Sequence, residues 1–286
     1  MTPAIQDSKT LHEWRETARF WTKHSDTIRT MFAPLTEALI RDASIGEGQT
    51  VLDVAGGAGE PSLTIAERVG PAGTVTCTDA VAEMVAAAES EAQRRGLTNI
   101  TFRQCVADSL PFESNSFEAV VCRLGVMFFP DPLKALREML RVAKPGGTVS
   151  LAVWHRNELN PFTYIVSDIV SRYVESPPTE PDAPNAFRFA ESGKLASICK
   201  LAGAGEVHEQ EFRFQIEAPI STSEYWELRA ETSDTLRAKL SKLSADQVLR
   251  VRQQVREAVA EFFPNKQMSF PAQMIIVTGK KPKIVR

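Results

Sequence analysis

Residues 51–63 read VLDVAGGAGEPSL, an apolar run that carries one acid, Asp53, and then breaks into a turn at Gly57 and Gly59. A glycine turn at the end of a strand lets backbone approach a ligand, because no side chain stands in the way. Two phosphate chemistries are excluded by the residues themselves. A dinucleotide fingerprint needs a third glycine three positions after Gly59, where Ser62 stands, and a Walker loop needs a Gly-Lys-Ser/Thr ending that is absent here. Asp53 would repel a phosphate and attract a cation, so a ligand with an ammonium group suits the site better. The alternative is a plain strand-to-helix connection.

Two further acids close apolar runs. Asp79 ends TVTCTD, where a carboxylate accepts hydrogen bonds from both hydroxyls of a ribose; it is also placed to cap the helix that follows. Asp108, in QCVADSLPF, is placed either to receive the amino group of a purine or to serve as a turn acid. Met84 offers polarizable sulfur to a ring, or fills the core. Three acids at three successive strand ends match a nucleoside that carries an amino-acid tail.

The elements that position these acids follow from hydrophobic spacing. QTVLDVA, TVTCTD, ITFRQC, AVVCRLG and TVSLAVW read as strands. Between them Leu63, Ala66 and Val69, then Val81, Met84, Val85 and Ala88, then Leu133, Leu136 and Leu140, mark helix faces, and KPGG stops the last of these helices. Alternating elements of this kind make a parallel sheet covered on both sides. Five prolines between residues 156 and 190 exclude a regular βα unit at 176–186. A helix with Leu195, Ile198, Cys199 and Ala202 on one face ends at Gly203 and Gly205. EVHEQEFRFQIE and SFPAQMIIVTG then read as antiparallel strands, separated by a helical insertion that opens on a Ser244–Gln247 capping box. At the N-terminus Leu11, Trp14, Ala18 and Trp21 share a helix face, and Pro34 reads as the start of a second helix.

The chain has 286 residues, 43% of them hydrophobic, and a formal net charge of −3. This composition suits a globular protein with ample core and supplies no basic surface for nucleic acid. Cys77, Cys105, Cys122 and Cys199 are widely spaced, form no zinc pattern and read as reduced core residues. No continuous apolar segment resembles a signal peptide or a membrane span, so a cytoplasmic protein with a small-molecule partner is expected.

VLDVAGGAG, the acid of TDAVAEM, ADSLPFESNSFEAVVC and LRVAKPGG together resemble the successive motifs of class I S-adenosylmethionine-dependent methyltransferases, in the ubiquinone/menaquinone C-methyltransferase-like branch. The similarity covers about residues 45–155 and, weakly, the two late strands. It implies a Rossmann-like α/β fold with a seven-stranded, mostly parallel sheet whose last strand is antiparallel. It also implies S-adenosylmethionine as cofactor, with Asp53 and the Gly57/Gly59 turn near the methionine part. Asp79 would hold the ribose, Asp108 and Ser109 would lie near the adenine, and Arg123, Leu124 and Gly125 would line the reactive end. Trp21, Ala55, Ala80 and Met84 complete the expected cofactor contacts. Two departures stand out: Ala55 replaces the first glycine of the loop, and Glu60-Pro61 falls where quinone enzymes tend to carry an aspartate.

The expected organisation is an N-terminal helical cap (1–43), a cofactor-binding core (44–155), a proline-rich insertion or lid (156–190), a core helix and strand (191–217), a helical substrate cap (218–264), and a final strand with a tail (265–286). Trp14, Phe20, Trp21, Phe32, Phe128, Phe129, Phe162, Tyr164, Phe187, Phe189, Tyr225 and Trp226 fall in segments that could close over the cofactor end, which suggests an apolar or aromatic acceptor. His155, directly after the fifth strand, is the candidate base if the acceptor needs one, or else a solvent-facing loop residue. A nicotinamide oxidoreductase and a non-enzymatic nucleoside-binding module are the competing readings.

Overall fold

The computed structural model describes residues 9–175 and 182–283. Helices α1 (Lys9–Lys23) and α2 (Ser25–Asp42) precede β1 (Thr50–Val54), α3 (Ser62–Val69) leads to β2 (Thr74–Asp79), and α4 (Ala82–Arg94) leads to β3 (Ile100–Gln104). Strand β4 (Phe117–Arg123), α5 (Pro132–Val142) and β5 (Ala143–Trp154) complete the alternation. Then come α6 (Pro161–Ser171), α7 (Lys194–Ala202), β6 (Gly205–Ala218), α8 (Thr222–Thr232), α9 (Asp234–Leu240), α10 (Ala245–Ala258) and β7 (Met268–Lys280).

Among the described residues these strands form one seven-stranded sheet in the order β3-β2-β1-β4-β5-β7-β6. Neighbours from β3 to β5 run parallel, whereas β7 is antiparallel to both β5 and β6. This is the α/β architecture that the motifs implied. Chain order reverses between β1 and β4, and in such sheets the crevice at the carboxyl ends of those two strands is where a ligand fits. Val51, Leu52, Val54, Val120, Val121 and Cys122 are buried, as expected for central strands with helices on both faces. Helices α3 and α4 pack against β1–β3, α2 crosses β4–β6, and α5 and α7 pack on each other and on the β5–β7 side.

One local reading is corrected and two others gain detail. Pro34 lies inside α2 and does not start it: the buried stripe Ile28, Met31, Phe32, Leu35, Ala38, Leu39 continues through it, so packing carries the helix across the missing N–H. KPGG does end α5, but it enters β5 through a shift of register, from Phe117 opposite Ala143 to Ala119 opposite Thr148. Pro161 opens α6 at its first turn, where a proline costs no hydrogen bond; Pro177, Pro178 and Pro181 lie outside the described residues. The Ser244–Gln247 capping box forms with both of its reciprocal bonds, and Ser221 and Glu224 make another at the start of α8.

Two of the aromatic residues expected as cover, Phe162 and Tyr225, belong instead to a separate aromatic core. Tyr225, Phe262, Phe263 and Phe162 surround Phe270 of β7 with ring centroids 4.6–5.9 Å away, and Tyr225 Oη donates to the Phe162 carbonyl at 2.9 Å. These rings fasten α6, α8 and the end of the insertion to β7, so hydrophobic burial claims them before any ligand can. Phe270→Ala should therefore lower stability by about 3–5 kcal/mol in urea unfolding while leaving the affinity of the folded protein for a ligand at the β1/β4 rim unchanged by calorimetry.

Candidate active site

At the carboxyl ends of β1–β4 lies a cavity of about 610 Å³. Its floor comes from Val54–Ala58, Asp79–Val81, Cys105–Ser109 and Arg123–Gly125, its roof from Leu11, Trp14, Trp21, Ser25, Ile28 and Phe32, and one wall from Phe128, Phe129 and Lys134. The size suits a drug-sized ligand, and the lining mixes apolar walls with a few polar groups.

The Asp79 carboxylate organises the floor. Oδ2 accepts from the Gly57 N–H at 3.0 Å and Oδ1 from the Val81 N–H at 2.9 Å, so one side chain ties the glycine turn to the start of α4. Burial raises its pKa, and the backbone N–H groups of Val81 and Gly57 oppose that shift by favouring the ionised form. Capping and ligand roles coexist, since each oxygen keeps a second lone pair. Asp108 is more open and pairs with Lys134 Nζ at 3.2 Å. Met84 is buried against Ala18 and Val81 and still lines the cavity.

Ala55 takes a left-handed conformation with φ 61°, which explains why glycine suits this position better. Its methyl fits because residue 125 is glycine: a Cβ built on Gly125 would stand 2.7 Å from that of Ala55. Leu124, at the end of β4, is also left-handed with φ 60°, so strain of about 1–3 kcal/mol per residue sits on both strands of the switch point.

Eleven of the thirteen expected cofactor contacts line the cavity: Trp21, Ala55, Gly57, Asp79, Ala80, Met84, Asp108, Ser109, Arg123, Leu124 and Gly125. Asp53 and Gly59 do not. Asp53 is fully buried behind the turn, where Oδ2 accepts from Ser62 Oγ at 2.5 Å and Oδ1 has no hydrogen-bond partner among the described residues. Burial pushes its carboxyl up to about 7, against the Ser62 hydrogen bond and the charge of Arg123. Ser62, which broke the dinucleotide pattern, is thus the cap of this acid. Gly59 has φ 118°, and a Cβ there would meet Leu63 Cδ1 at 2.7 Å, so its role is to let the turn close on α3.

His155 is buried at the end of β5 and is not among the lining residues. Its Nδ1 accepts from the Arg156 N–H at 2.7 Å and its Nε2 lies 3.4 Å from Glu211 Oε1, so it stands at neither the cavity nor an open loop surface. Of the expected aromatic cover, Trp14, Trp21, Phe32, Phe128 and Phe129 do line the cavity. Trp14 packs on Trp21 at 5.8 Å and edge-on to Phe128 at 5.2 Å, which joins roof to wall. At the end of α1, Lys23 Nζ and His24 Nε2 reach Glu231 Oε2 at 2.8 and 2.6 Å and fix the roof to α8. Sequence reasoning did not single out Ser25, Ile28 or Lys134, whose places depend on tertiary docking. The four cysteines are free and buried; burial pushes Cys105, at the cavity floor, up to about 11.

Comparison with known proteins bears on this site. Residues 35–167 match the ubiE/COQ5 methyltransferase family. The resemblance seen in the motifs is thus to a methyltransferase fold whose matched stretch spans the whole floor of the cavity. Uncharacterized protein Rv1405c of Mycobacterium tuberculosis is 39% identical over 124 residues, covering 43% of this chain and 44% of that protein. A ubiquinone/menaquinone biosynthesis C-methyltransferase UbiE of Bdellovibrio bacteriovorus is 40% identical over 111 residues, covering 39% of this chain and 46% of its own length. The chain thus aligns with less than half the length of these relatives. The crystal structure of the [4+2]-cyclase SpnF matches 94% of this chain and 96% of its own with a TM-score of 0.55 at 19% identity, which shows a shared fold. The roof residues Leu11 to Phe32 all precede the stretch matched by the family.

The raised pKa of Asp53 has a direction that can be measured. The native state holds this proton up to about pH 7 whereas an ordinary aspartate releases it near 3.8, so the contribution is fully present below pH 3.8 and is lost as pH rises towards 7. Asp53→Asn should remove that dependence. The stability difference between wild type and variant, followed by urea unfolding from pH 4 to 8, should move in the variant's favour by up to about 4 kcal/mol; a difference flat with pH would show Asp53 to be ionised throughout.

Proposed function

We propose that this protein transfers a methyl group from S-adenosylmethionine to a small apolar or aromatic acceptor through oxygen, nitrogen or carbon. One observation carries the reading, a carboxylate that braces a glycine turn at the cavity floor; a second acid in the loop after the next strand and a family match over that floor support it. When bound, the donor supplies an activated methyl on a sulfonium, so the protein's task is orientation and exclusion of water. Asp79 accepts from ribose hydroxyls through its free lone pairs, Asp108 stands near the adenine amino group, and Met84 lies against the ring.

The walls support the acceptor class. Trp14, Trp21, Phe32, Phe128 and Phe129 are weakly polar surfaces, which favour a transfer in which charge is lost and keep water away. The partner's chemistry is read from these walls and not from the quinone enzymes, because the stretch matched by the family, residues 35–167, begins only after the roof residues. His155 does not serve as base in this reading, since it lies outside the lining. A nicotinamide site is disfavoured by Ser62, now engaged with Asp53, at the place of the third glycine.

The fold alone does not decide the chemistry, so turnover must be tested. Purified protein should be thermally stabilised by S-adenosylhomocysteine and should move labelled methyl from the donor to members of a panel of phenols, quinols and amines. Transfer confined to highly charged acceptors would overturn the apolar class. Asp79→Ala removes both the ribose contact and the brace on Gly57, and should weaken S-adenosylhomocysteine binding by roughly tenfold or more in calorimetry; unchanged affinity would remove Asp79 from the site.

A further inference from the structure

We propose that Arg123 is the anchor for the carboxylate of the donor's amino-acid tail, an inference that rests on reading the cavity as a site for S-adenosylmethionine. Arg123 is the last residue of β4 and lines the cavity. Its guanidinium donates to Thr36 Oγ1 at 2.7 Å and to the Glu60 carbonyl at 3.1 Å, and it lies 5.6 Å from the centre of the Phe32 ring. All three partners are neutral groups.

The acids nearby are already committed. The Glu60 carboxylate is held by Arg95 Nη1 at 2.9 Å and by Thr64 Oγ1 at 2.7 Å, so its charge is answered by the residue that caps α4. Asp53 is turned to Ser62 and carries its proton up to about pH 7. Among the described residues no carboxylate forms an ion pair with Arg123, although a guanidinium in such a place keeps its charge. Burial works against the Arg123 charge and the Glu60 carboxylate supports it without pairing directly, so an anionic group entering the cavity would supply the missing direct partner. A planar fork also matches a carboxylate in shape.

Position in the sheet tells which carboxylate. Asp53 lies opposite Cys77 on one side and Val121 on the other. Two residues further along each strand, Asp79, Ala55 and Arg123 occupy one row, with the glycine turn rising from its centre. Two strand spacings separate Asp79 from Arg123, about 10 Å. From the ribose C5′, which bears the sulfur, to the tail's carboxyl carbon is five bonds, about 7 Å when extended. A donor whose ribose rests on Asp79 therefore carries its tail across the end of β1 and delivers the carboxylate to Arg123. The row has an anion at the hydroxyl end and a cation at the acid end.

Calorimetry with three ligands tests this: S-adenosylhomocysteine, its decarboxylated analogue and 5′-methylthioadenosine, which lacks the amino-acid tail. Wild type should bind S-adenosylhomocysteine roughly ten- to hundredfold more tightly than the decarboxylated analogue, the range of a lost charge-assisted pair. In Arg123→Gln that ratio should collapse towards one, and Arg123→Lys, which keeps the charge but not the fork, should retain part of it. Equal wild-type affinities for the two tailed ligands would overturn the anchor while leaving the adenosyl site standing. A preference that survives in Arg123→Gln, with only the acceptor KM changed, would place Arg123 on the acceptor and also overturn it. Failure of wild type to bind any of the three would instead remove the adenosyl reading itself. The wild-type series decides the matter even if Arg123→Gln does not fold.

Discussion

One carboxylate holding two backbone N–H groups is the constraint on which the site depends. The turn after β1 must lie open for a ligand, so its amides cannot be satisfied by a ladder, and a buried amide without an acceptor is expensive. Asp79 supplies that acceptor from the neighbouring strand. The same residue fixes where α4 begins, so turn, helix and strand end keep one geometry. Left-handed Ala55, accommodated by Gly125, and the close approach of Gly59 to Leu63 follow from a turn pinned in this position.

Around that knot the charges are sorted by what answers them. Glu60 is paired with Arg95, Asp53 is buried where ionisation is penalised, and Asp108 is tempered by Lys134. The polar groups left facing the cavity are few and stand on different strand ends, which gives the floor a direction along the sheet edge. The apolar roof leaves that direction unscreened by water.

Much of this was legible in the residues because local pattern and tertiary structure agree over β1–β5. Alternating apolar runs placed each strand within a few residues, and acids at strand ends marked the rim. Asp53 misled because its spacing resembles that of an exposed rim acid; only the closure of Ser62 from α3 hides it, a contact between elements that periodicity does not encode. The aromatic residues divided for a similar reason: Trp14 and Phe128 are equivalent in composition to Tyr225 and Phe270, yet helix docking sends one pair to the cavity and the other to β7. His155 follows the fifth strand as read, but the long edge strand β6 brings Glu211 to it and closes it off. Pro34 was misread because a buried face can hold a helix together where a hydrogen bond is lost.

The roof and the floor of the cavity come from different parts of the chain. Leu11 to Phe32 reach the cavity from a segment before the matched stretch and are fastened at the far side by Glu231, whereas the rim residues belong to the shared part. Floor and ceiling therefore rest on different elements, the strand ends below and the helices α1 and α2 above. Changing the apolar side chains of these two helices would alter the shape of the space above the rim while leaving the polar groups of the strand ends in place.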